Sequence, residues 1–504
     1  MLKYNLIANY IGQCWTTLMG FAFIPFYIKF LGIEAYGLIG FFALLQAWLS
    51  ILDMGMAPTL SREMARRTTS GHDTKTLRDL LRSIEIIAAL IAIIIAACVY
   101  TGSSWLSRSW VNSETISNED VASAIAIMGL VIATRFVETI YKSSINGLQK
   151  QVLLNVVVSS MATLRGGGAV VILAFVSPSI NAFIFWQGII SIITVCLLAV
   201  ATYKSLPAHG YRGRFSWAEL QSVKNFAGGI LGISILSLTV TQIDKVLLSI
   251  MLSLTDFAYY TLASLVAISL YMFVSPITKA WFPILAQLHK VGDEVELALK
   301  FHQGAQLVSV IAGSAALVLI FQGETFLRLW TQDDLLSARV APILSLLALG
   351  YLLNMLLWIP FETQLAFASV KLPMKTSLAA VVFMVPAVFI LAFYYGPKGA
   401  AIAWILLNLG HILISVPLMF RTILSNEKWQ WYFKDIITPL LPPAAIMLLL
   451  DKVMPEASGI KQQITVLFLY SSLTLLTTAM LVSHGRQYIF RYLAERRFYK
   501  RLFT

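Results

Sequence analysis

The chain has 504 residues, of which 58% are apolar and only 12% are charged, and its mean hydropathy is +0.78. Soluble domains carry about 25% charged residues, so this composition excludes an ordinary soluble protein. A net charge of +12 is typical of a membrane protein that keeps its basic residues on one side, and nucleic acid is not expected as a partner.

Taken in chain order, the apolar stretches that are long enough to cross a bilayer as helices number about fourteen. They are Leu6–Ile28, Tyr36–Met56, Leu81–Tyr100, Val121–Tyr141, Leu153–Val176, Ala182–Tyr203, Phe226–Leu248, Phe257–Phe282, Gln303–Phe321, Ile343–Leu365, Thr376–Tyr395, Ala400–Phe420, Ile436–Leu450 and Gln463–Val482. The thirteenth is short and contains Pro439, Pro442 and Pro443, so it is expected to be kinked or re-entrant. A total of twelve helices stays open.

The first apolar stretch is too long for the apolar region of a signal peptide, and we expect it to remain as a helix. Most of the 37 Lys and Arg residues fall on loops that share a side with the N-terminus. Because basic loops stay in the cytoplasm, both termini are predicted to be cytoplasmic. The longest outer loop, at about 101–120, is too short for a catalytic domain.

The predicted fold is an all-α polytopic membrane protein with two six-helix lobes around a central cavity. The lobes are assigned to residues 1–205 and 206–425, an additional helix pair to 426–483, and a basic-aromatic cytoplasmic tail to 484–504. A weak repeat supports duplicated halves, since Phe30–Tyr36 is echoed by Leu252–Tyr259.

The motifs of common enzymes are absent from the sequence. It contains no P-loop pattern, no zinc-protease motif and no Cys or His cluster with metal-ligand spacing. We therefore expect no catalysis, no cofactor and no metal site.

Ionisable residues deep inside apolar stretches are the strongest indication of function, because each costs about 2.5–3.5 kcal/mol to insert. Arg135 and Arg165 lie deepest, near the middle of the fourth and fifth stretches. Glu138 follows Arg135 by three residues, which predicts either a structural ion pair between them or paired charges at a cavity. Arg165 has no acid within one turn, and phosphate is the ligand that its guanidinium suits.

The first helix carries a polar stripe that suits either sugar hydroxyls or hydrogen bonds between helices. It consists of Asn5, Asn9, Gln13 and Thr16. Trp15 lies on the same helix away from the interfaces, where it either stacks on a sugar or packs on a neighbouring helix. Asn408 and His411 form a similar polar pair in the twelfth stretch.

Two charges near the end of the seventh stretch, Asp244 and Lys245, either reach the interface or take part in function. A transporter driven by ions needs a group that gains and loses a proton or cation. The candidates for that role are Glu138, Asp244 and His411.

The N-terminal quarter resembles a known family. The segment FYIKFLGIEAYGL at Phe26–Leu38 and the segment LDMGMAPTLSRE at Leu52–Glu63 are similar to the opening of bacterial polysaccharide biosynthesis membrane proteins, the O-antigen type flippases of the multidrug/oligosaccharidyl-lipid/polysaccharide exporter superfamily. The segment Gln242–Lys245 adds to this resemblance.

The resemblance implies export of an undecaprenyl-pyrophosphate-linked oligosaccharide by alternating access. It also implies that lumenal cations meet the anionic carrier, and Arg135 and Arg165 fit that role. The other residues assigned to the pyrophosphate and sugar cavity are Glu138, Asn9, Gln13, Trp15 and Lys245. Membrane lipid is an expected partner, together with a polysaccharide polymerase or other assembly proteins.

Three alternatives remain at this point: a lipid II flippase, a multidrug or cation antiporter of the same superfamily, and a membrane polysaccharide polymerase or ligase. An antiporter should have an acidic cavity, whereas the two deepest charges here are arginines. A polymerase would need catalytic residues in an outer loop, and the loop at 101–120 contains one Arg and no His.

Overall fold

The computed structural model describes residues 2–69, 74–206, 211, 213–367, 371–453 and 459–482. The described residues are almost entirely helical, and they contain one isolated β-bridge, between Asn112 and Ser253. The predicted tail at 484–504 lies outside them. The all-α prediction is confirmed.

Within the described residues, 14 helical stretches are long and apolar enough to cross a membrane. The thirteenth, Lys428–Val453, has 26 residues and is therefore longer than the sequence suggested. Its π-helical segment Trp431–Ile437 and the prolines Pro442 and Pro443 interrupt regular helix geometry without ending the span. The prediction of fourteen spans is confirmed.

Contacts divide the chain into two compact units, Met1–Ala258 and Tyr259–Thr504. The predicted lobe boundaries at 205/206 and 425/426 stay predictions. The helices of the first unit are α1 (Leu2–Ala22), α2 (Ile24–Leu31), α3 (Ile33–Leu49), α4 (Met56–Thr69), α5 (Thr74–Ser109), α6 (Asn118–Gly147), α7 (Gln151–Phe175), α8 (Ile180–Ser205) and α9 (Trp217–Met251).

Helix α10 (Leu254–Ile268) contains the point at which the two units divide. The second unit continues with α11 (Tyr271–Val291), α12 (Glu294–Thr331), α13 (Asp334–Leu356), α14 (Trp358–Ala366), α15 (Lys371–Tyr395), α16 (Pro397–Gly410), α17 (Val416–Phe420), α18 (Lys428–Gln430), α19 (Thr438–Val453) and α20 (Ile460–Leu481). The π-helical segment 431–437 joins α18 to α19.

Helix α6 is central in the first unit and packs on α5, α8 and α4, while α7 packs on α1 and α8. The glycines of α7 permit that approach. A Cβ added at Gly166 would lie 2.2 Å from the Phe23 ring, and one added at Gly168 would lie 2.2 Å from the Trp186 indole. The middle of α7 therefore lies close to α8 and to the end of α1.

The N-terminal motif has a structural role of its own. Glu34 is buried at the start of α3, where its carboxylate accepts hydrogen bonds from the backbone N–H groups of Glu114, at 2.5 Å, and Thr115, at 3.0 Å. The Thr115 hydroxyl donates to the same carboxylate. This motif residue therefore anchors the loop between α5 and α6, and that loop positions α6.

Helix α12 is central in the second unit and packs on α11, α13, α19 and α20. Large side chains such as Phe301 are fully buried along it. On the outer helices many apolar side chains stay exposed, including Phe393 on α15 and Phe468 on α20. Lipid is the environment in which such helix faces are stable.

Candidate functional site

Arg135 lies on α6 and joins three helices through its guanidinium. Its two terminal nitrogens donate to the side-chain oxygens of Gln46 on α3, at 2.6 Å, and Gln187 on α8, at 2.8 Å. Its Nε donates to the Ser191 hydroxyl at 3.4 Å, and the group lies 4.8 Å from the centre of the Phe42 ring. Within the described part of the chain, the hydrogen-bond partners of Arg135 are thus all neutral.

Glu138 makes no ion pair with Arg135 in the part of the chain that the structure describes, so the first of the two alternatives, a structural ion pair between them, is not observed. Its carboxylate contacts Lys142, at 2.6 Å, and Arg165, at 3.5 Å. Glu138 and Lys142 are four residues apart on α6, where side chains align along one face. The partner that Arg165 lacks on its own helix is therefore supplied by α6.

Two cavities in the first unit flank these charges. The Arg135 cavity has a volume of about 600 Å³ and is lined by Arg135, Gln46 and Asp53, together with α9 residues such as Ser237 and Thr241. The Arg165 cavity has a volume of about 330 Å³. Its polar lining consists of Thr16, Tyr27, Glu138, Lys142, Arg165, Gln187 and Thr194. Since Gln187 lines the second cavity and binds Arg135, it lies between the two sites.

The charge balance of this cluster favours an anion. By formal charge, Arg135, Arg165, Lys142 and Glu138 together carry +2, and Asp53 in the wall of the Arg135 cavity lowers the balance to +1. Arg165 is 23% exposed, yet its Nε is buried and has no hydrogen-bond partner among the described residues. A buried donor without an acceptor is costly, so this N–H is available to a ligand oxygen.

Of the predicted residues on α1, Asn9 and Trp15 bind α7, whereas Gln13 is exposed. Asn9 is held by α7, since it donates to Gln151 at 3.0 Å and accepts from Asn155 at 2.6 Å. Trp15 also binds α7, through Thr163 at 2.9 Å. Gln13 has an exposed side chain. For Asn9 and Trp15 the observed contacts are those of helix packing, so a direct role in binding sugar stays a prediction.

The remaining predicted residues contact neighbours within their own units. Asp244 and Lys245, near the end of α9, contact each other at 3.7 Å. In the second unit, the Nδ1 of His411 lies 3.0 Å from the Ser415 hydroxyl. Asn408 is fully buried and accepts a hydrogen bond from Asn354 at 2.7 Å, which is a packing contact.

Two sets of polar residues in the structure were not predicted from sequence. Gln46 on α3 and Gln187 and Ser191 on α8 hold Arg135, although both helices are mostly apolar. In the second unit, His302 on α12 contacts Asp435 and Glu427, beside a cavity of about 880 Å³. These partners are more than 120 residues apart in sequence, so no local pattern indicates the contact.

This chain shares its fold with solved structures of a flippase and of a transporter. A lipid II flippase MurJ in an inward closed conformation aligns with a TM-score of 0.71 at 15% identity, covering 96% of this chain and 99% of that chain. An inward-facing multidrug resistance MATE family transporter of the MOP superfamily aligns with a TM-score of 0.63 at 13% identity, covering 81% and 96% respectively. Identities this low show a common fold.

Sequence comparison gives the family. A curated protein of Shigella flexneri, named as a candidate O-antigen transporter, is 20% identical over 401 residues, which are 79% of this chain and 93% of that protein. Residues 2–289 match the family described as polysaccharide biosynthesis protein. Because this match covers more than half of the chain, the protein is a member of the polysaccharide biosynthesis protein family.

Proposed function

We propose that the protein is a flippase that moves an undecaprenyl-pyrophosphate-linked oligosaccharide from the cytoplasmic to the outer leaflet. The observation that carries this proposal is the arginine cluster of the first unit, with its net positive charge beside two cavities. Family membership and the likeness to an O-antigen transporter support the substrate class.

The partners of Arg135 suit reversible binding of a phosphate. Its guanidinium donates to two amide oxygens, which keep it oriented without neutralising its charge. A phosphate oxygen forms shorter and stronger bonds with guanidinium than an amide does, so it would replace one of them. Arg165 would contribute its unpartnered Nε–H to the same anion or to the neighbouring phosphate.

The oligosaccharide would then occupy polar parts of the cavity walls while the polyprenyl chain stays in lipid. Serine and threonine hydroxyls of α9, including Ser234 and Thr241, line the Arg135 cavity and are suited to sugar hydroxyls. Outward movement of the anion is favoured by an inside-negative potential, by about 2.3 kcal/mol per charge per 100 mV. Glu138 and Asp244 remain the candidate coupling groups of the first unit, and His411 that of the second.

The proposed setting is the bacterial inner membrane with both termini in the cytoplasm, as the distribution of basic residues predicts. In this setting the protein acts as a transporter without a catalytic step. A polysaccharide polymerase would use the product on the outer face.

Lipid II is the second candidate substrate. The fold likeness to a lipid II flippase extends over 96% of this chain, including the last helix pair, whereas the multidrug transporter covers 81%. Both candidate substrates combine a polyprenyl pyrophosphate with sugars, so the arginine cluster serves either. Viability of a deletion strain discriminates between them, because loss of lipid II transport is lethal when no second flippase is present.

The test is complementation of a deletion strain at normal expression, scoring surface glycan and accumulated lipid-linked oligosaccharide. We expect Arg135→Ala and Arg165→Ala each to abolish surface glycan and to raise the accumulated intermediate. Arg328→Ala is the matched control, because Arg328 pairs with Glu324 on its own helix, α12, and lines neither of the two cavities. Wild-type surface glycan in both variants of the cluster would refute the proposal.

A further inference from the structure

The second unit contains a buried cluster of ionisable groups that the proposed transport step does not use. The Nδ1 of His302 lies 2.5 Å from Asp435, and its Nε2 lies 3.0 Å from Glu427. The second oxygen of Asp435 accepts from Gln306 at 2.8 Å, and the Ser309 hydroxyl donates to the Asp435 backbone carbonyl. The imidazole is therefore held between two carboxyl groups.

Counting donors and acceptors fixes the number of protons in this cluster. Each of the two His302 contacts joins a ring nitrogen to a carboxyl oxygen at hydrogen-bond distance, and each needs one proton. A neutral imidazole supplies only one N–H, so the second proton lies on the ring or on one of the two carboxyl groups. With two protons the three groups carry a net charge of −1, and loss of one proton breaks a contact.

The two carboxyl groups differ in their access to water. Asp435 is fully buried, whereas the Glu427 side chain is 28% exposed and lines the 880 Å³ cavity. The Nδ1 proton is therefore held by Asp435, which leaves Nε2 as the nitrogen that exchanges. A proton reaches His302 from the cavity by way of Glu427.

The groups around the cavity are suited to proton transfer. The other charged side chains in its wall are Glu294 on α12, Arg421 after α17 and Lys434, which donates to Gln430 at 3.2 Å. The apolar side chains in the wall include Phe367, which follows α14, and Leu481, at the end of α20. The buried Oε1 of Gln306 also lines the cavity and has no hydrogen-bond partner among the described residues, so it offers an acceptor to an incoming O–H group.

The backbone of the cluster is also unusual. Asp435 lies in the π-helical segment 431–437, and such segments frequently occur at functional sites. Within the described ranges, no group of His, Cys, Asp and Glu residues is placed to hold a metal ion.

We propose that His302, Glu427 and Asp435 form a proton-binding site that exchanges with the cavity of the second unit. While the site is protonated, the imidazole joins the first turns of α12 to segment 427–437, and deprotonation releases Glu427. This site is separate from Glu138, Asp244 and His411, the residues considered for ion coupling from the sequence.

The test is nitrogen-15 NMR of the protein in lipid bilayers, with nitrogen-15 introduced into its histidine rings. No substrate is added, so the outcome does not depend on the proposed function. The chain has six histidines, and His302→Gln identifies the signal of His302. At pH 7 we expect this signal to show a proton on Nδ1 and a hydrogen-bonded Nε2. In wild-type protein it should convert to a neutral ring with one N–H as pH rises to 9.

The matched pair of variants is Glu427→Gln and Glu296→Gln, since Glu296 lies on the exposed first turn of α12 and pairs with Lys300. Glu427→Gln should lower the pH at which the His302 signal converts by about one unit or more, because an opposite charge within about 4 Å stabilises imidazolium. Glu296→Gln should leave it unchanged. Equal conversion in wild type and Glu427→Gln, or a wild-type Nε2 without a hydrogen bond from pH 5 to 9, would overturn the proposal.

Discussion

Substitution of Arg135 by lysine tests whether the shape of the guanidinium matters as well as its charge. Arg135 donates to Gln46 and Gln187 at 2.6 and 2.8 Å from two different nitrogens, and so joins α3 to α8. A lysine has a single nitrogen at its tip and cannot present this planar fork. We therefore expect Arg135→Lys to lose at least one charge-assisted hydrogen bond, to the glutamines or to a phosphate that replaces them.

Hydrogen bonds to charged groups contribute about 1.5–3 kcal/mol each. Loss of one such bond to the ligand corresponds to about 10- to 150-fold weaker binding. The assay is calorimetric titration of purified protein in lipid nanodiscs with inorganic pyrophosphate, for wild type, Arg135→Lys and Arg135→Gln. The control is Arg328→Lys, because Arg328 contacts Glu324 and is not among the residues that line either cavity of the first unit.

The two variants separate charge from geometry. We expect Arg135→Lys to bind pyrophosphate more weakly than wild type and Arg135→Gln to bind still more weakly. If Arg135→Lys binds pyrophosphate as tightly as wild type and Arg135→Gln does not, the planar geometry of the guanidinium is not required. Its positive charge would then be sufficient for binding. Wild-type affinity in both would show that Arg135 is not a phosphate ligand.

Two further predictions concern the same unit. Glu138→Gln removes the carboxylate that competes with pyrophosphate for Arg165, so the affinity for pyrophosphate should rise about fivefold, corresponding to about 1 kcal/mol. Unchanged affinity would show that Arg165 does not bind pyrophosphate. Gly168→Ala brings a methyl group to 2.2 Å from the Trp186 ring and should lower the unfolding temperature, since overpacking costs about 1–3 kcal/mol. Gly102→Ala is its control, because that position faces open space; an equal change in both variants would contradict the packing argument.

The fold could be predicted from sequence because hydropathy alone identifies membrane helices. Each crossing needs about 20 apolar residues, and all backbone groups must be satisfied within the segment, so few alternatives exist. The thirteenth stretch was the exception. Its short length and its prolines suggested a kinked or re-entrant segment; the helix geometry is irregular at the π-helical turn 431–437, and the span continues beyond it.

The partners of the predicted site residues could not be obtained in the same way. The spacing of Arg135 and Glu138 permits a contact, but it says nothing about competing partners on other helices. Glu138 instead meets Lys142 one turn further along α6 and Arg165 on α7. The glutamines that hold Arg135 come from α3 and α8, and only helix packing brings them together.

Arg135 is bound by amide groups, whereas Arg165 is bound by a carboxylate, and this difference matters for transport. A carrier must bind its substrate strongly enough to load it and weakly enough to release it. Arg135 is held by neutral groups and remains fully charged toward a ligand, whereas Arg165 must leave Glu138 to bind one. When the substrate departs, Glu138 can take its place on Arg165, so release does not leave that guanidinium without an anionic partner. On this argument, Glu138→Gln should bind pyrophosphate more tightly but export glycan more slowly than wild type.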